Sequence, residues 1–370
     1  MLAHHAPFGT IPMGRIHAFD WLRGVAVLVM IQTHCIALLR PEMKTGWFFR
    51  HLDAVDGLVA PAFLFSAGFA LALVQVRAGL AGHRGPQARK SFSRIFEVWL
   101  VAGLVNLIWF PWKPMFWFLR FDILHCIAAS LTVILPVLVA LARRPKLLRW
   151  VLLAIALLLF AVSPLAEQLT GPAQLFLNAR PGILDETTRA AFPLLPWAGY
   201  VFLGASFGAT VGAMKSEREL WTWIALLMTL GLAAWVFGST LRNVYPPHDF
   251  WKTNPADAAR RWTLVLMLVA IFRLVERTWP AIIGSRAARS LAAFGSASLS
   301  AYFFHEMLLF QRWVGVFGRV FRGQADWALF WFLVPVVIGC TWVCVQLWAV
   351  AEPKLRARIT SKAAPLRPAS

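Results

Sequence analysis

The sequence predicts an all-α integral membrane protein, built as a polytopic bundle of about ten transmembrane helices. Hydrophobic residues make up 59% of the 370-residue chain, charged residues make up only 14%, and 19 residues are tryptophan. This composition is typical of membrane proteins and argues against a soluble globular fold. Segments that cross lipid must satisfy their own backbone hydrogen bonds, so the long apolar runs are expected to be helical.

Ten apolar runs have about the length that a bilayer demands, although 260–276 is short. The predicted spans are 21–39, 57–76, 95–112, 121–142, 148–166, 192–213, 219–240, 260–276, 290–309 and 327–349. We expect a single transmembrane domain over 15–350. A cytoplasmic tail of residues 1–14 would precede it, and a basic cytoplasmic tail of residues 351–370 would follow it.

The basic residues indicate how the chain is oriented. Lys and Arg number 36 against 17 Asp and Glu, giving a formal charge of +19. They sit in short loops between apolar runs, and with the N-terminus inside, 22 of the 36 fall on the inner side. The positive-inside rule therefore predicts that both termini are cytoplasmic, with the protein in the cell (inner) membrane and membrane lipids as partners. No nucleic-acid-binding motif accompanies the charge, so nucleic acid is not an expected partner.

The first predicted helix carries the most informative polar residues. The stretch RIHAFDWLRGVAVLVMIQTHCIALL opens with Asp20 and Arg23 and holds His34 deep in its apolar run. At 1.5 Å per residue, His34 lies about 20 Å beyond Trp21 and past the membrane midplane. An ionisable residue at such a depth is costly and suggests a functional site. The alternative is a histidine that is hydrogen-bonded within the bundle.

Other polar residues are predicted at the same outer level of the membrane. They are His51, Asp56, Asp122, His125, His305 and Glu306. Several such residues on different helices suggest a shared cavity. Asp56 and Asp122 could instead be helix N-caps, and His125 could be an interhelical contact. Glu306 needs a partner inside the membrane, for which His34 or Arg312 is available.

Several stretches resemble a known family. FDWLRGVAVLVMIQTH is similar to the first helix of transmembrane acyltransferases related to heparan-alpha-glucosaminide N-acetyltransferase, and of the broader acyltransferase-3 group. RHLDAVDGLVAPAFLFSAG, FLRFDILHCIAAS, FPLLPWAGYVFLGASFG, YPPHDF and GSASLSAYFFHEML also resemble family segments in the same order. The resemblance and the polar pattern together nominate five structural or substrate-lining residues, namely Asp20, Asp122, His125, Trp197 and Tyr245.

The resemblance implies acyl transfer, by an acetyltransferase in the first instance. An acyl group would pass from cytoplasmic acetyl-CoA, or another acyl-CoA, to a hydroxyl or amine of a glycan or lipid-linked sugar outside. His34 is the preferred base and His51 and His305 are alternatives, with Asp56 or Glu306 orienting the imidazole. Coenzyme A phosphates would bind Arg15, Arg23, Arg77 and Arg94. No metal is expected.

Two other classes of function remain open from the sequence. A proton-coupled secondary transporter would also use intramembrane His, Asp and Glu, although no internal repeat supports it. A non-enzymatic scaffold or sensor would not need histidines gathered at one depth. The sequence leaves a homodimer open.

Overall fold

The computed structural model describes residues 16–109, 112, 120–169, 177 and 191–362. Arg15, one of the predicted coenzyme ligands, and the predicted tail 1–14 lie outside the described residues. Most of residues 113–120 and 167–191, which connect predicted spans, lie outside the described residues as well.

The described residues are predominantly helical, and the β-bridge that they contain is isolated, between Leu39 and Ala325. In chain order the helices are α1 (His17–Cys35), α2 (Gly46–Asp56), α3 (Val59–Leu80), α4 (Arg84–Trp109), α5 (Ile123–Leu141), α6 (Pro145–Ala166), α7 (Leu194–Ala213), α8 (Glu217–Val236), α9 (Gly238–Val244), α10 (Phe250–Thr253), α11 (Pro255–Thr278), α12 (Arg286–Ser296), α13 (Ser298–Phe310), α14 (Val316–Phe321) and α15 (Trp327–Lys362).

Eight helical segments of the described chain are long and apolar enough to cross a membrane, as expected for an all-α, multi-pass membrane protein. They are His17–Leu38, Gly46–Leu80, Arg84–Trp109, Ile123–Leu141, Pro145–Ala166, Leu194–Ala213, Glu217–Val236 and Trp327–Lys354. Each overlaps one of the ten predicted spans. The cytoplasmic position of both termini stays a prediction.

The other two predicted spans behave differently. The run predicted at 260–276 lies within α11, which is 24 residues long but carries three charged residues near each end. The prediction of a single helix over 290–309 is wrong, because α12 ends at Ser296 and α13 begins at Ser298. The sequence Gly-Ser-Ala-Ser at this break has low helix propensity. Helix α13 has 13 residues, so at about 20 Å it is too short to cross the membrane alone.

Helices α3 and α7 cross in backbone contact at small residues. A Cβ added at Gly68 of α3 would collide with the carbonyl oxygen of Val201, and one added at Gly204 of α7 would collide with that of Phe65. Such small-residue crossings bring helices together closely in membranes. Residues of both helices line the main cavity of the bundle.

Helix α1 is held at its N-terminal end by Glu276 of α11. The Glu276 carboxylate accepts hydrogen bonds from the backbone N–H groups of His17 (2.9 Å) and Ala18 (3.4 Å), and from Arg273 (2.8 Å). A carboxylate at this position satisfies free N–H groups and interacts favourably with the helix dipole. Gly24 lets α1 approach α12, because a Cβ there would meet the Leu291 carbonyl oxygen. These contacts fix the helix that carries Arg23 and His34.

Of the two residues interpreted as possible N-caps, one caps a helix and the other does not. Asp122 does cap α5, since its side chain accepts a hydrogen bond from the Ile123 N–H at 2.7 Å. The interpretation of Asp56 as an N-cap is wrong, because residues 46–56, which precede the predicted span 57–76, are helical and Asp56 is the last residue of α2. Asp56 is buried, and its carboxylate lies 3.4 Å from the Gln32 amide nitrogen of α1.

Candidate active site

A cavity of about 560 Å³ runs between α1, α3, α5 and α13. Its lining includes Arg23 and Ser298 at one end and His34 and Glu306 at the other. His34 follows Arg23 by eleven positions of continuous helix, which is about 16 Å along the axis of α1. The cavity is therefore elongated and connects two levels of the bundle.

The two ends of the cavity are polar and its middle is apolar. At the first end, the guanidinium of Arg23 donates a hydrogen bond to the Ser298 hydroxyl at 3.0 Å. Met30, Phe63 and Leu131 line the cavity between the two ends. The far end, which we call the histidine end, contains the polar side chains His34, Asp56, Arg120, Asp122, Arg261 and Glu306.

His34 and His305 are in direct contact at the histidine end. The Nδ1 atom of His34 lies 2.6 Å from the Nε2 atom of His305, and the two ring planes are within 20° of parallel with their centroids 4.8 Å apart. The Nδ1 atom of His305 lies 2.9 Å from the carbonyl oxygen of Ala301. A carbonyl can only accept, so His305 carries its proton on Nδ1 and, when neutral, offers a lone pair on Nε2.

This arrangement determines the tautomer of His34. The Nε2 lone pair of His305 accepts a hydrogen bond from the Nδ1–H group of His34, so the remaining lone pair of neutral His34 is on its own Nε2. His305 is completely buried, whereas His34 lines the cavity. His34 is thus the histidine of the pair that a substrate in the cavity can reach, and His305 holds its ring.

Glu306 is the acidic partner of both histidines. Its Oε1 atom lies 3.6 Å from His34 Nδ1 and 3.6 Å from His305 Nε2. Its Oε2 atom accepts a hydrogen bond from the Trp109 indole at 3.1 Å. Of the two partners proposed from the sequence, His34 is the one in contact, while Arg312 lines a separate recess. Glu306 is placed to stabilise a positive charge that forms on the His34 ring.

The same three side chains have the composition of a metal site, since their ligand atoms lie within 4.8 Å of one another. Their spacing, however, is that of a hydrogen bond. Two imidazole nitrogens on one tetrahedral zinc ion, each about 2.1 Å from the metal, lie roughly 3.3 Å apart. The 2.6 Å separation of the His34 and His305 nitrogens fits a shared proton better.

Asp122 and Trp197 also line the cavity, as the sequence suggested for substrate-lining residues. Trp197 is half-buried and lies beneath the Arg261 guanidinium, 5.7 Å from the ring centroid. Asp20 lies one helical turn before Arg23 and interacts with it electrostatically.

Besides Asp20 and His305, three other nominated residues lie outside the cavity lining. His51 is exposed on α2, where it contacts the Trp47 ring at 4.1 Å and the Trp47 carbonyl at 2.8 Å. His125 is buried against the rings of Trp99 on α4 and of Phe121, which precedes α5. Within the described part of the chain its Nδ1 atom has no hydrogen-bond partner, so its interpretation as an interhelical polar contact stays a prediction. Tyr245 follows α9 beside His248, and partial burial raises the pKa of its phenol.

The predicted coenzyme ligands also differ in whether they line the cavity. Arg23 lines the cavity, while Arg77 is exposed in the last turn of α3. Arg94 is exposed on α4 and pairs with Glu97 at 2.9 Å. Arg23 is therefore the described candidate with direct access to the cavity.

Sequence reasoning missed several residues of the histidine end. Arg120 lies 5.2 Å from the Trp109 ring centroid, and Tyr302 packs edge-on against His305 at 5.5 Å. Arg261 is held by Asp257, with its Nε atom 2.7 Å from the carboxylate. The signal that could have identified Arg261 is the charged N-terminal turn of α11, where two arginines follow an aspartate at helical spacing.

Comparison with known families bears on the first two thirds of the chain. The model of the heparan-alpha-glucosaminide N-acetyltransferase catalytic domain matches residues 15–241, more than half of the 370 residues. The matched region includes Arg23, His34 and Asp122, whereas His305 and Glu306 follow it. No curated protein matches the chain significantly.

Proposed function

The chain belongs to the heparan-alpha-glucosaminide N-acetyltransferase catalytic family, and we propose that it transfers an acyl group from a cytoplasmic acyl-CoA across the membrane. Membership of this family supports a membrane acetyltransferase activity, and acetyl-CoA is the first donor to consider. The proposed acceptor is a hydroxyl or amine of a glycan or lipid-linked sugar on the outer side of the inner membrane.

The observation that carries this proposal is the cavity joining Arg23 to His34. A guanidinium at one end suits the phosphates of coenzyme A. The apolar middle suits a long and narrow pantetheine arm, and its length of about 16 Å separates the coenzyme's charged part from the reacting carbonyl. The acceptor would then meet the thioester at the histidine end.

His34 is the proposed general base. Its Nε2 atom takes the proton of the acceptor hydroxyl or amine as the acceptor atom attacks the thioester carbonyl carbon. When the tetrahedral intermediate collapses, the C–S bond breaks and the leaving thiolate takes the proton back from the His34 imidazolium. The acceptor is acylated, coenzyme A leaves as the thiol, and His34 returns to its neutral form.

His305 and Glu306 have supporting roles in this scheme. The His305 Nε2 atom, fixed by the Ala301 carbonyl, holds His34 in the productive tautomer and orientation. The Glu306 carboxylate, 3.6 Å from His34 Nδ1, stabilises the imidazolium while it exists. The division of roles resembles that of a catalytic triad, with a neutral histidine in the orienting position.

The same Nε2 lone pair could instead attack the thioester and form an acyl-histidine. In that scheme the C–S bond breaks before the acceptor reacts, and the acceptor then displaces the imidazole. The two schemes differ in whether the protein itself becomes acylated without an acceptor.

A proton-coupled transporter is the second candidate, because the break between α12 and α13 lies beside Arg23 at one end of the cavity. The test is a thermal-stability measurement on the purified chain with coenzyme A, against adenosine as the control. An acyltransferase should be stabilised by coenzyme A and should release it from labelled acetyl-CoA. A chain that shows neither response is not an acyl-CoA enzyme.

A further inference from the structure

A second recess lies beside the histidine end and contains three arginines. It has a volume of about 490 Å³ and is lined by Arg312, Arg319 and Arg322, together with Gly315 and Gly318. Phe310 lines both this recess and the main cavity, and its ring is edge-on to His34 at 5.8 Å between centroids. The recess is therefore separated from the candidate base by one aromatic side chain.

The loop that carries the arginines is well organised. The Gln311 side-chain oxygen accepts hydrogen bonds from the backbone N–H groups of Trp313 and Val314, both at 2.6 Å. A Cβ added at Gly318 would collide with the Leu309 carbonyl oxygen, so glycine is needed where α14 packs on the end of α13. These contacts fix the backbone on both sides of Arg312.

The other side of the recess is attached to helix α1. The backbone N–H of Gly323 donates to the Ala37 carbonyl at 3.2 Å, and that of Ala325 donates to the Leu38 carbonyl at 2.9 Å. The backbone N–H of Arg40 in turn donates a hydrogen bond to the Ala325 carbonyl at 3.0 Å. Ala37 is three residues after His34, so the arginine loop and the candidate base are held by the same segment.

The charges in the recess are not neutralised by the described part of the chain. All three arginines are exposed, and none forms an ion pair with an acidic residue that the structure describes. Asp326, the nearest acidic residue in sequence, accepts a hydrogen bond from the Leu329 N–H at the start of α15. If the termini are cytoplasmic, these arginines lie on the outer side, where the positive-inside rule gives no reason for them.

We propose that this recess binds the phosphate of a phosphate ester at the membrane surface and thereby positions an acceptor at His34. Clustered guanidinium groups recognise phosphate through charge-assisted hydrogen bonds. The acidic side chains of the histidine end, Asp56, Asp122 and Glu306, suit the uncharged part of such a molecule, while its phosphate occupies the arginine recess. This inference rests on the proposed acyl transfer and narrows the acceptor to a phosphate-bearing one, such as a lipid-linked sugar.

The test compares a polyprenyl monophosphate with the polyprenol of equal length as ligands of the full chain in phosphatidylcholine nanodiscs. Wild type should bind the phosphate at least about tenfold more tightly, the preference expected from charge-assisted bonds to guanidinium groups. The combined variant R312Q/R319Q/R322Q should lose that preference. The control R143Q/R144Q/K146Q removes three exposed basic residues elsewhere and should retain it.

Competing ligands identify the source of the phosphate. Displacement by phosphatidylglycerol would identify a phospholipid headgroup, and displacement by glucose 1-phosphate would identify a soluble ester. Resistance to both would favour the lipid-linked sugar. Equal binding of polyprenol and polyprenyl phosphate by wild type, or an unchanged preference in the triple variant, would overturn the proposal. The single variant R312Q, expected to weaken the preference, covers the case in which the triple variant does not fold.

Failure of the proposed phosphate binding can be distinguished from failure of the proposed acyl transfer. The His34→Ala variant should keep the preference for phosphate while losing turnover. A wild type that turns over acetyl-CoA but lacks the phosphate preference would refute only this inference.

Discussion

The Nδ1 atom of His34 lies 2.6 Å from the Nε2 atom of His305, although 271 residues separate them in sequence. The contact joins the end of α1 to the middle of α13. Because the Ala301 carbonyl fixes the proton of His305, the pair leaves a free lone pair on His34 Nε2. The proposed mechanism depends on this relationship.

His305 is expected to act by positioning His34. His305→Ala should lower kcat by at least about 100-fold, the scale seen when a histidine base loses its orienting partner. His305→Gln offers a side-chain oxygen that can accept from His34 Nδ1–H, so it should recover part of the loss. Steady-state kinetics of both variants with acetyl-CoA tests this. Equal activity of the Ala and Gln variants would contradict the orienting role.

Glu306 is expected to contribute chiefly in the transition state. Glu306→Gln keeps the shape and a hydrogen-bond acceptor for Trp109, but removes the charge 3.6 Å from His34 Nδ1. We expect kcat to fall by about 10- to 100-fold, with little change in KM for acyl-CoA. The measurement is the separate determination of kcat and KM. A rise in KM at constant kcat would place Glu306 in substrate binding instead.

Arg23 is expected to act on the donor, at the far end of the cavity. Arg23→Gln should raise the Kd of coenzyme A by about tenfold, consistent with loss of one charge-assisted hydrogen bond. Arg23→Lys should have a smaller effect, since the charge remains. Equilibrium binding of coenzyme A measures both. Unchanged affinity in Arg23→Gln would place the coenzyme elsewhere, and Arg143→Gln serves as an exposed control.

The crossing of α3 and α7 gives a stability prediction. Gly68→Ala puts a methyl group against the Val201 carbonyl and should destabilise the chain by about 1–3 kcal/mol, as overpacking does. Gly103→Ala on α4 meets nothing within 4 Å and should be neutral or slightly stabilising. The unfolding midpoint in detergent compares the two. Equal unfolding midpoints for Gly68→Ala and Gly103→Ala would show that α3 and α7 can move apart to accommodate the added methyl group.

The helical bundle, and His34 as a candidate site residue, could be predicted from the sequence, because both rest on local signals. Apolar length predicts each span, and a histidine inside such a span is unusual in itself. His305 and Glu306 were identified on the same ground. Their distances from His34 depend on how α1 and α13 pack, which no local pattern specifies.

The break in the predicted span 290–309 and the helix before Asp56 were missed for physical reasons. Hydropathy does not distinguish one helix from two short helices, and the break at Ala297 is stabilised by packing of Gly295 against α1. Residues 46–56 lie between the predicted spans 21–39 and 57–76, yet they form a helix whose last residue, Asp56, is buried. Arg120 and Arg261 come from segment ends that meet only in the folded chain.

The most direct test of the account is the fate of radiolabelled acetyl-CoA with purified wild type, His34→Ala and His51→Ala, each shown to be folded. His51 is an exposed histidine outside the cavity lining and provides the matched control. We expect wild type and His51→Ala to move the label to acceptor, water or protein. The rate of this transfer should be lower by about 10²- to 10⁴-fold in His34→Ala. Undiminished transfer by a folded His34→Ala variant would contradict it.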